Sequence, residues 1–327
     1  MVIDTACSSS ITAIDLAVRG LLSGETELAL AGGVDILLDE GSYIKLSIAE
    51  VLSPNGKCRT FDESANGIGL GEGCGVLVLR RLEDAIASGD KIYGVIEGTA
   101  VNNDGNTMGI TTPNPEAQLS LMQDAAFNAG IDISTISYIE THGTGTLIGD
   151  PIELKAITRL LEAHTQGKGV CGVGSVKSNI GHLLSAAGIA GVIKTLLSIT
   201  AKQLPPTLHC ERPNPRFDFA NSPVYPVTQL QQWNGVDGII RAGVSAFGLG
   251  GSNAHVILSN AGIPAANQPP LPFTGPTINY RRQRYWPEEN HASPKEHLVA
   301  PKENLAASKE NHTTSTAFGK YLHFTID

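Results

Sequence analysis

Cys7 is the first residue of the chain whose type and position suit covalent chemistry. It stands in residues 4–10 (DTACSSS), directly before apolar residues that recur at helical spacing until Gly24. At a helix N-terminus, unpaired N–H groups and the positive end of the helix dipole favour the thiolate that a cysteine nucleophile uses. A free cysteine can equally be a small buried apolar residue, so Cys7 alone leaves both interpretations open.

Three further polar clusters lie where a predicted strand ends or a helix begins. Residues 140–146 (ETHGTGT) place His142 after a short strand and before glycines that let the backbone turn tightly. Residues 175–182 (SVKSNIGH) contain Lys177 and His182, and residues 245–255 (SAFGLGGSNAH) contain Phe247. Hydrogen-bond donors of this kind would stabilise an oxyanion in cysteine acyl transfer. Separately, none of the clusters is decisive.

Helices and strands alternate over residues 8–258, and these elements must position the clusters. Apolar residues at helical spacing predict helices over residues 116–129, 151–163 and 182–201, besides the one after Cys7. Short β-branched or apolar runs predict strands over residues 27–33, 75–79, 92–101, 137–141, 170–176, 239–246 and 254–258, the first of them buried. This alternation predicts a layered α/β architecture.

Composition narrows the class of protein. A chain of 327 residues with 41% hydrophobic content can hold one large or two smaller globular units. The net charge of −9 argues against a nucleic-acid-binding surface, and no uninterrupted apolar run of about 18 residues suggests a membrane span. Five cysteines without a C-x-x-C pair fit neither a zinc site nor a disulfide framework. Reduced thiols and the lack of a signal-peptide pattern predict a cytoplasmic protein.

Two other signals in the sequence favour plain structural roles. Residues 67–73 (GIGLGEG) could suggest a phosphate loop, but they lead into a strand, whereas a phosphate loop opens a helix. We therefore reject a nucleotide-binding function. The histidines His164, His209 and His255, and those near the C-terminus, are interpreted as surface or packing residues.

The composition changes after Ser259. Prolines accumulate there, and beyond Pro287 the chain is rich in Lys, Glu, Asn and Ser. We predict a linker over residues 260–287 and a disordered tail over residues 288–327. Residues 280–286 (YRRQRYW) interleave aromatic rings with arginines, and on an acidic protein this favours packing on a neighbouring domain over nucleic-acid binding.

Taken together, the motifs resemble the β-ketoacyl synthase (ketosynthase) domain of modular type I polyketide synthases. The resemblance rests on Cys7 in DTACSSS, His142 in HGTGT, Lys177 and His182 in KSNIGH, and Phe247 in the glycine-rich loop. It covers residues 1–259, and residues 280–286 resemble the linker motif downstream of such domains. It implies a thiolase-like α-β-α-β-α fold of two related halves, working as a homodimer. Residues 1–100 would be the remainder of the N-terminal half, and residues 101–259 the C-terminal half.

The same resemblance implies a role for each site residue. Cys7 would take an acyl group from the phosphopantetheine arm of an acyl carrier protein, with no metal or other bound cofactor. His142 and His182 would donate hydrogen bonds to the enolate left when a malonyl-type extender loses carbon dioxide, and Lys177 would support the local electrostatics. The N–H groups of Cys7 and Phe247 would hold the oxyanion, with Phe247 also acting as a gate. The remaining substrate-loop positions would be Thr144, Thr146, Asn179, Gly248, Gly250 and Gly251.

Three features depart from the family pattern. The family's domain continues well upstream of the nucleophile, so we expect a truncated N-terminal half whose apolar sheet faces and strand edges are exposed. Gly191 stands where related fatty-acid-type synthases often carry a glutamate, which the modular group commonly lacks. No acyltransferase domain follows, and this favours an acyltransferase acting from a separate protein.

Three hypotheses on function remain. The first is an elongating ketosynthase that performs decarboxylative condensation. The second is a non-elongating domain that only transfers acyl groups, against which the intact His142 argues. The third is a truncated, catalytically inert fragment. The sequence leaves the acyl substrate, the product and the extender unit open.

Overall fold

The computed structural model describes residues 1–109 and 112–270. The predicted tail, the segment 280–286 and most of the predicted linker lie outside these residues. The described helices are α1 (Ser9–Leu22), α2 (Gly41–Ile48), α3 (Leu82–Ala87), α4 (Pro115–Ala129), α5 (Gly149–Glu162), α6 (Lys177–Ile180) and α7 (Ala187–Ala201). The described strands are β1 (Ala29–Asp35), β2 (Gly73–Leu79), β3 (Val95–Asn103), β4 (Tyr138–Glu140), β5 (Cys171–Gly174), β6 (Gln203–Leu204), β7 (Val224–Pro226), β8 (Gln231–Gln232), β9 (Arg241–Phe247) and β10 (Ser252–Ser259).

A mixed six-stranded sheet in the order β3-β10-β9-β4-β5-β7 forms the centre of the fold. β9, β10 and β3 pair antiparallel, whereas β9, β4, β5 and β7 run parallel. All seven residues of β9 are buried, as expected for a strand covered on both faces. The predicted α/β layering is confirmed in this part of the chain.

Helices cover both faces of this sheet. One apolar cluster joins α1 and α7 to one face, through residues such as Ile11, Ile189 and Val244. A second cluster packs α4 and α5 on the other face, through residues such as Leu121 and Leu154. The antiparallel pair β1-β2 lies on the far side of α1 and α7, since Ala31 belongs to the first cluster.

Helices α1 and α7 approach each other closely, and this contact positions the two ends that carry Cys7 and His182. A Cβ on Gly188 would lie 2.7 Å from Ile11 Cγ1. The Ile189 N–H donates to Ser10 Oγ at 2.9 Å, and Ser10 is buried. Glycine is therefore required at this crossing, and the hydrogen bond fixes the register of the two helices.

The pair β1-β2 is buried on one face only. Leu30 and Val34 in β1 and Val76 and Val78 in β2 are each more than half exposed. The prediction of a fully buried strand at residues 27–33 therefore differs from the structure. Apolar residues at both faces of a strand predict a covered strand, but the described residues cover only the face that meets α1 and α7.

β3 spans the predicted border at residue 100 and pairs with β10. One predicted helix start differs from the structure. Helix α7 begins at Ala187 and not at His182, because residues 184–186 form a 3-10 turn in which Leu184 has a φ of 43°.

The first residues of the predicted linker pack on the fold. The Ile92 N–H donates to Asn267 O at 2.8 Å, and Asn267 Nδ2 donates to Asp90 O at 3.0 Å. Residues 260–270 therefore form part of the ordered unit.

One segment, Leu184–Ala201, has the length and apolar composition of a membrane span, with a mean hydropathy of 1.6. Half of its residues are buried inside the fold. Since α7 packs against α1 and the central sheet, this segment is a core helix.

Candidate active site

Cys7 sits in a sharp turn directly before α1. The preceding Ala6 has a φ of 55°, which an alanine adopts only under constraint, and residues 6–8 form one 3-10 turn. Ser8 Oγ donates to Ser252 O at 2.7 Å, which ties the turn to the glycine-rich loop between β9 and β10. The strained turn presents the thiol at the helix N-terminus, as predicted.

The electrostatics of the thiol differ from the expectation. Burial raises the pKa of Cys7 above its usual value, while Lys177 and the N–H groups of Leu249 and Cys7 lower it and Asp35 raises it. Burial is the largest of these effects. The helix N-terminus is therefore outweighed by burial, and the shift favours the neutral thiol.

His142 and His182 face each other at the ends of their loops. Their ring centroids are 5.5 Å apart at an interplanar angle of 83°. His142 Nδ1 accepts the Phe247 N–H at 3.3 Å, and His182 Nδ1 accepts the Leu184 N–H at 2.9 Å. A backbone N–H can only donate, so each Nδ1 is unprotonated and each Nε2 carries the ring proton.

Both imidazoles are neutral. Burial, followed by the charge of Lys177, holds the pKa of His142 and of His182 well below the usual range. A neutral imidazole with its proton on Nε2 donates one hydrogen bond without carrying a charge. The site therefore presents two neutral hydrogen-bond donors.

Lys177 is buried at the start of α6 and joins the two histidine loops. Burial lowers the pKa of its ammonium, and Glu140, Cys7, Glu153 and Cys58 raise it. The Lys177 N–H donates to Ser175 Oγ at 3.3 Å, and that hydroxyl donates to Gly143 O at 3.0 Å. The loop of Lys177 is thereby fastened to the loop of His142.

Two buried carboxylates that sequence reasoning missed hold the His142 loop. Glu153 accepts the His142 N–H at 2.7 Å and the Gly143 N–H at 2.9 Å. Asp150 accepts the Gly145 N–H at 3.1 Å and the Phe61 N–H at 2.9 Å. Burial raises the pKa of Glu153 to about 7 and that of Asp150 to about 6. A sequence signal could have identified both residues, because they lie at the start of a predicted helix that follows the HGTGT motif.

The glycine-rich loop lies against the Cys7 turn. A Cβ on Gly248 would lie 2.2 Å from Thr5 O, so only glycine fits there. Gly251 has a φ of 82°, whereas a Cβ on Gly250 would meet nothing within 4 Å. Two of the three predicted loop glycines are thus required by the backbone.

The structure does not bring the N–H of Phe247 to the thiol. That N–H donates to His142 Nδ1, and the N–H near the sulfur belongs to Leu249. The Phe247 ring is buried and lies 5.4 Å from the His142 ring, whereas Leu249 is 45% exposed. The N–H near the thiol is therefore that of Leu249 and not the predicted one of Phe247, whose ring is buried beside His142.

The remaining predicted substrate-loop residues lie beside the histidine loops. The hydroxyls of Thr144 and Thr146 are 3.2 Å apart, and both residues are partly buried. Asn179 is exposed on α6, with its Oδ1 3.1 Å from Ser178 Oγ. Among the other histidines, His255 is buried and hydrogen-bonds Ser245 Oγ at 2.9 Å, which is a packing role.

Three family models match the chain in sequence order. The β-ketoacyl synthase N-terminal domain matches residues 1–85, and the β-ketoacyl synthase C-terminal domain matches residues 93–211. The ketoacyl-synthetase C-terminal extension matches residues 213–284. The first match ends and the second begins shortly before β3, the edge strand of the six-stranded sheet.

Curated relatives are long polyketide synthases. The polyketide synthase PksM of Bacillus subtilis is 48% identical over 263 residues, which are 79% of this chain and 6% of that protein. The spectinabilin polyketide synthase system protein NorA' of Streptomyces orinoci is 44% identical over 270 residues, which are 83% of this chain and 7% of that protein. The chain thus spans a small part of these relatives.

Solved structures of ketosynthase domains are also similar to this chain. The ketosynthase from module 6 of the bacillaene synthase of Bacillus subtilis has a TM-score of 0.77 and 49% identity, covering 79% of this chain and 47% of that one. An oxazolomycin ketosynthase domain from Streptomyces albus has a TM-score of 0.77 and 41% identity, covering 80% and 46%. These likenesses confirm the thiolase-like layered fold. The chain belongs to the β-ketoacyl synthase family, among the ketosynthase domains of modular polyketide synthases.

Proposed function

We propose that the chain is an elongating ketosynthase, which extends a polyketide by decarboxylative Claisen condensation. The observation that carries the proposal is the pair of neutral imidazoles whose Nδ1 atoms are occupied by backbone N–H groups, which leaves two Nε2–H donors. Such donors can stabilise an enolate, because their hydrogen bonds strengthen as negative charge develops on the oxygen in the transition state.

In the first step, Cys7 takes the acyl group. Its sulfur attacks the thioester carbonyl of an acyl group carried on phosphopantetheine, and the N–H groups of Cys7 and Leu249 hold the oxyanion. The pantetheine sulfur leaves and receives the proton that the thiol gives up. The products are an acylated Cys7 and a free pantetheine thiol.

In the second step, a malonyl-type thioester loses carbon dioxide. The bond to the carboxylate breaks, and its electron pair forms an enolate whose oxygen accepts hydrogen bonds from His142 and His182. Lys177 contributes a buried positive charge beside this centre.

In the third step, the enolate carbon attacks the acyl carbonyl on Cys7. A carbon–carbon bond forms, the N–H groups of Cys7 and Leu249 again hold the oxyanion, and the Cys7 thiolate leaves. This thiolate takes a proton from water, because burial favours the neutral thiol. The enzyme is thus a 3-oxoacyl-[acyl-carrier-protein] synthase that needs no metal or redox cofactor for these steps.

The proposed function extends to partners and location. We propose an acyl carrier protein as the substrate carrier, a homodimer as the state of the full domain and a cytoplasmic location. The exposed apolar face of β1 and β2 supports a larger folded unit than the described residues provide.

Acylation measured by intact mass tests this function. The purified chain is incubated with a simple acyl thioester, with Cys7→Ala as the control, and then with a malonyl thioester. We expect a mass gain that the control lacks, followed by release of a β-ketoacyl product. A folded chain without any mass gain would refute the proposal in favour of an inert fragment. Acylation without condensation would favour a non-elongating acyl-transfer domain.

A further inference from the structure

Glu140 is a fully engaged buried carboxylate at the end of β4, two residues before His142. Its side chain is 2% exposed. Oε1 accepts the Val176 N–H at 2.6 Å, and Oε2 accepts hydrogen bonds from Tyr138 Oη and Lys194 Nζ, both at 2.7 Å. Tyr138 belongs to β4 itself, whereas Val176 precedes α6 and Lys194 lies on α7, so Glu140 connects β4 to both of these segments.

This junction connects the two loops that carry the catalytic histidines and lysine. Glu140 and Thr141 lead directly into His142, and the Thr141 N–H donates to Gly174 O at 2.8 Å. Val176, whose N–H Glu140 binds, directly precedes Lys177. A displacement of the Glu140 carboxylate would therefore move both loops.

The ion pair with Lys194 is costly to bury, which argues that it has a use beyond stability. Lys194 and Glu140 side chains are 10% and 2% exposed. Buried ion pairs are often no more stabilising than apolar residues of the same volume. A Cβ on Gly191, one turn before Lys194, would lie 3.2 Å from Glu140 Cγ, so the glycine leaves the space that this carboxylate occupies.

Lys177 is the charged group that Glu140 influences. The ionisable groups around Lys177 come from the Cys7 turn, from β4, from α5 and from three loops; they are Cys7, Cys58, Glu140, His142, Asp150, Glu153 and His182. Glu140 contributes the largest stabilisation of the ammonium form. The Lys177 charge in turn lowers the pKa of the Cys7 thiol.

We propose that Glu140, held by Lys194 and Tyr138, is a positioning residue that aligns the loops of His142 and Lys177. The inference rests on the proposed function, because it assigns a role within the same site. Loss of the Glu140 carboxylate frees the Val176 N–H and lets Lys177 move away from Cys7, whose thiolate form the Lys177 charge favours.

The test compares the 327-residue chain with the double variant Glu140→Gln/Lys194→Met. The double variant removes both charges of the pair, so the net charge near the site is unchanged. The readout is the rate of Cys7 alkylation by iodoacetamide against pH, followed by mass on the Cys7 peptide. Cys7→Ala is the control for peptide assignment, and circular dichroism checks the fold.

We expect the midpoint of the alkylation profile to rise by at least about half a pH unit in the double variant. A folded double variant with the wild-type midpoint, or with a lower one, would overturn the proposal. A role in global stability alone, with both loops still in place, would leave the midpoint unmoved. This readout needs no condensation, so failure of the inference is distinguishable from failure of the proposed function, which acylation and product release report.

Glu140→Asp is the second variant, and it keeps the negative charge while shortening the side chain by one methylene. We expect a smaller rise of the alkylation midpoint than in the double variant, and a malonyl decarboxylation rate about tenfold lower, because the two loops lose part of their alignment. A decarboxylation rate equal to that of the wild type would refute the positioning role. This test remains valid if the double variant does not fold.

Discussion

Glu153→Gln is the perturbation whose effect the structure defines most sharply. Burial raises the pKa of Glu153 from 4.5 to about 7, with the neighbouring charge of Asp150 contributing in the same direction. The raised pKa means that the folded state favours the protonated carboxyl. The stabilisation is fully present below the unfolded pKa of 4.5 and is lost as the pH rises through about 7.

The magnitude follows from the size of that shift. Each pKa unit corresponds to about 1.4 kcal/mol. Ionisation of Glu153, as the pH rises from below 4.5 to above about 7, therefore lowers the free energy of unfolding of the wild type by about 3 kcal/mol. Glutamine is neutral at every pH, but its amide has only one oxygen, so one of the His142 and Gly143 N–H groups loses its acceptor. We expect the variant to be about 1 to 3 kcal/mol less stable than the wild type near pH 5, and the difference to change by about 2 to 3 kcal/mol in favour of the variant between pH 5 and pH 8.

Urea unfolding at both pH values, followed by the fluorescence of the buried Trp233, measures this difference. Glu116→Gln is the matched control, because Glu116 is an exposed carboxylate whose pKa is lowered by Arg159 and which stays ionised over this range. A Glu153→Gln variant whose stability relative to the wild type is the same at both pH values would refute the reasoning.

Two further substitutions test the packing around Cys7. Gly248→Ala places a Cβ 2.2 Å from Thr5 O, so we expect this variant to lose Cys7 acylation. Gly250→Ala is the control, because its Cβ meets nothing within 4 Å, and it should retain acylation. Equal acylation of the two variants, measured by intact mass, would contradict this packing. Ser10→Ala removes the acceptor of the buried Ile189 N–H, so we expect a loss of about 1 to 3 kcal/mol in urea unfolding, and a loss below about 0.5 kcal/mol would argue against that contact.

The sequence predicts the periodic elements well. α1 and α4 match their predictions closely, because their apolar spacing is regular and their ends carry signals. In α4, Asn114 accepts the Glu116 N–H at 3.0 Å, and Gly130 ends the helix with a φ of 63°. Such local signals act within one helical turn, which is why sequence alone can locate them.

The direction of a backbone N–H is harder to predict. Residue types around Phe247 suggest an oxyanion loop, but only the backbone path decides that Leu249 points its N–H at the thiol and Phe247 at His142. The start of α7 is similar, since the Leu184 N–H is used by His182 and the regular helix begins later.

The burial of a side chain depends on the whole fold and cannot be predicted from the sequence around it. The helix N-terminus predicts a lowered pKa for Cys7, yet desolvation by distant elements outweighs it. The exposed faces of β1 and β2 have the same origin, because an apolar strand does not reveal what covers it. Glu153 and Asp150 could have been found from their place after the HGTGT run, but their raised pKa values come from burial.

The central claim is that His142 and His182 act as neutral Nε2–H donors, and the rate of malonyl decarboxylation against pH tests it most directly. Because the pKa of each imidazole lies well below its usual range, we expect the rate to show no histidine titration between about pH 5.5 and about pH 8. His142→Ala and His182→Ala should each lower the rate at least about a hundredfold while Cys7 is still acylated. Because the pKa of Glu153 is about 7 and that of Asp150 about 6, the same profile is measured in Glu153→Gln and Asp150→Asn. A rate that rises in all three proteins as a group with a pKa near 6.5 becomes protonated would show that a charged imidazolium does the work, and would contradict the account.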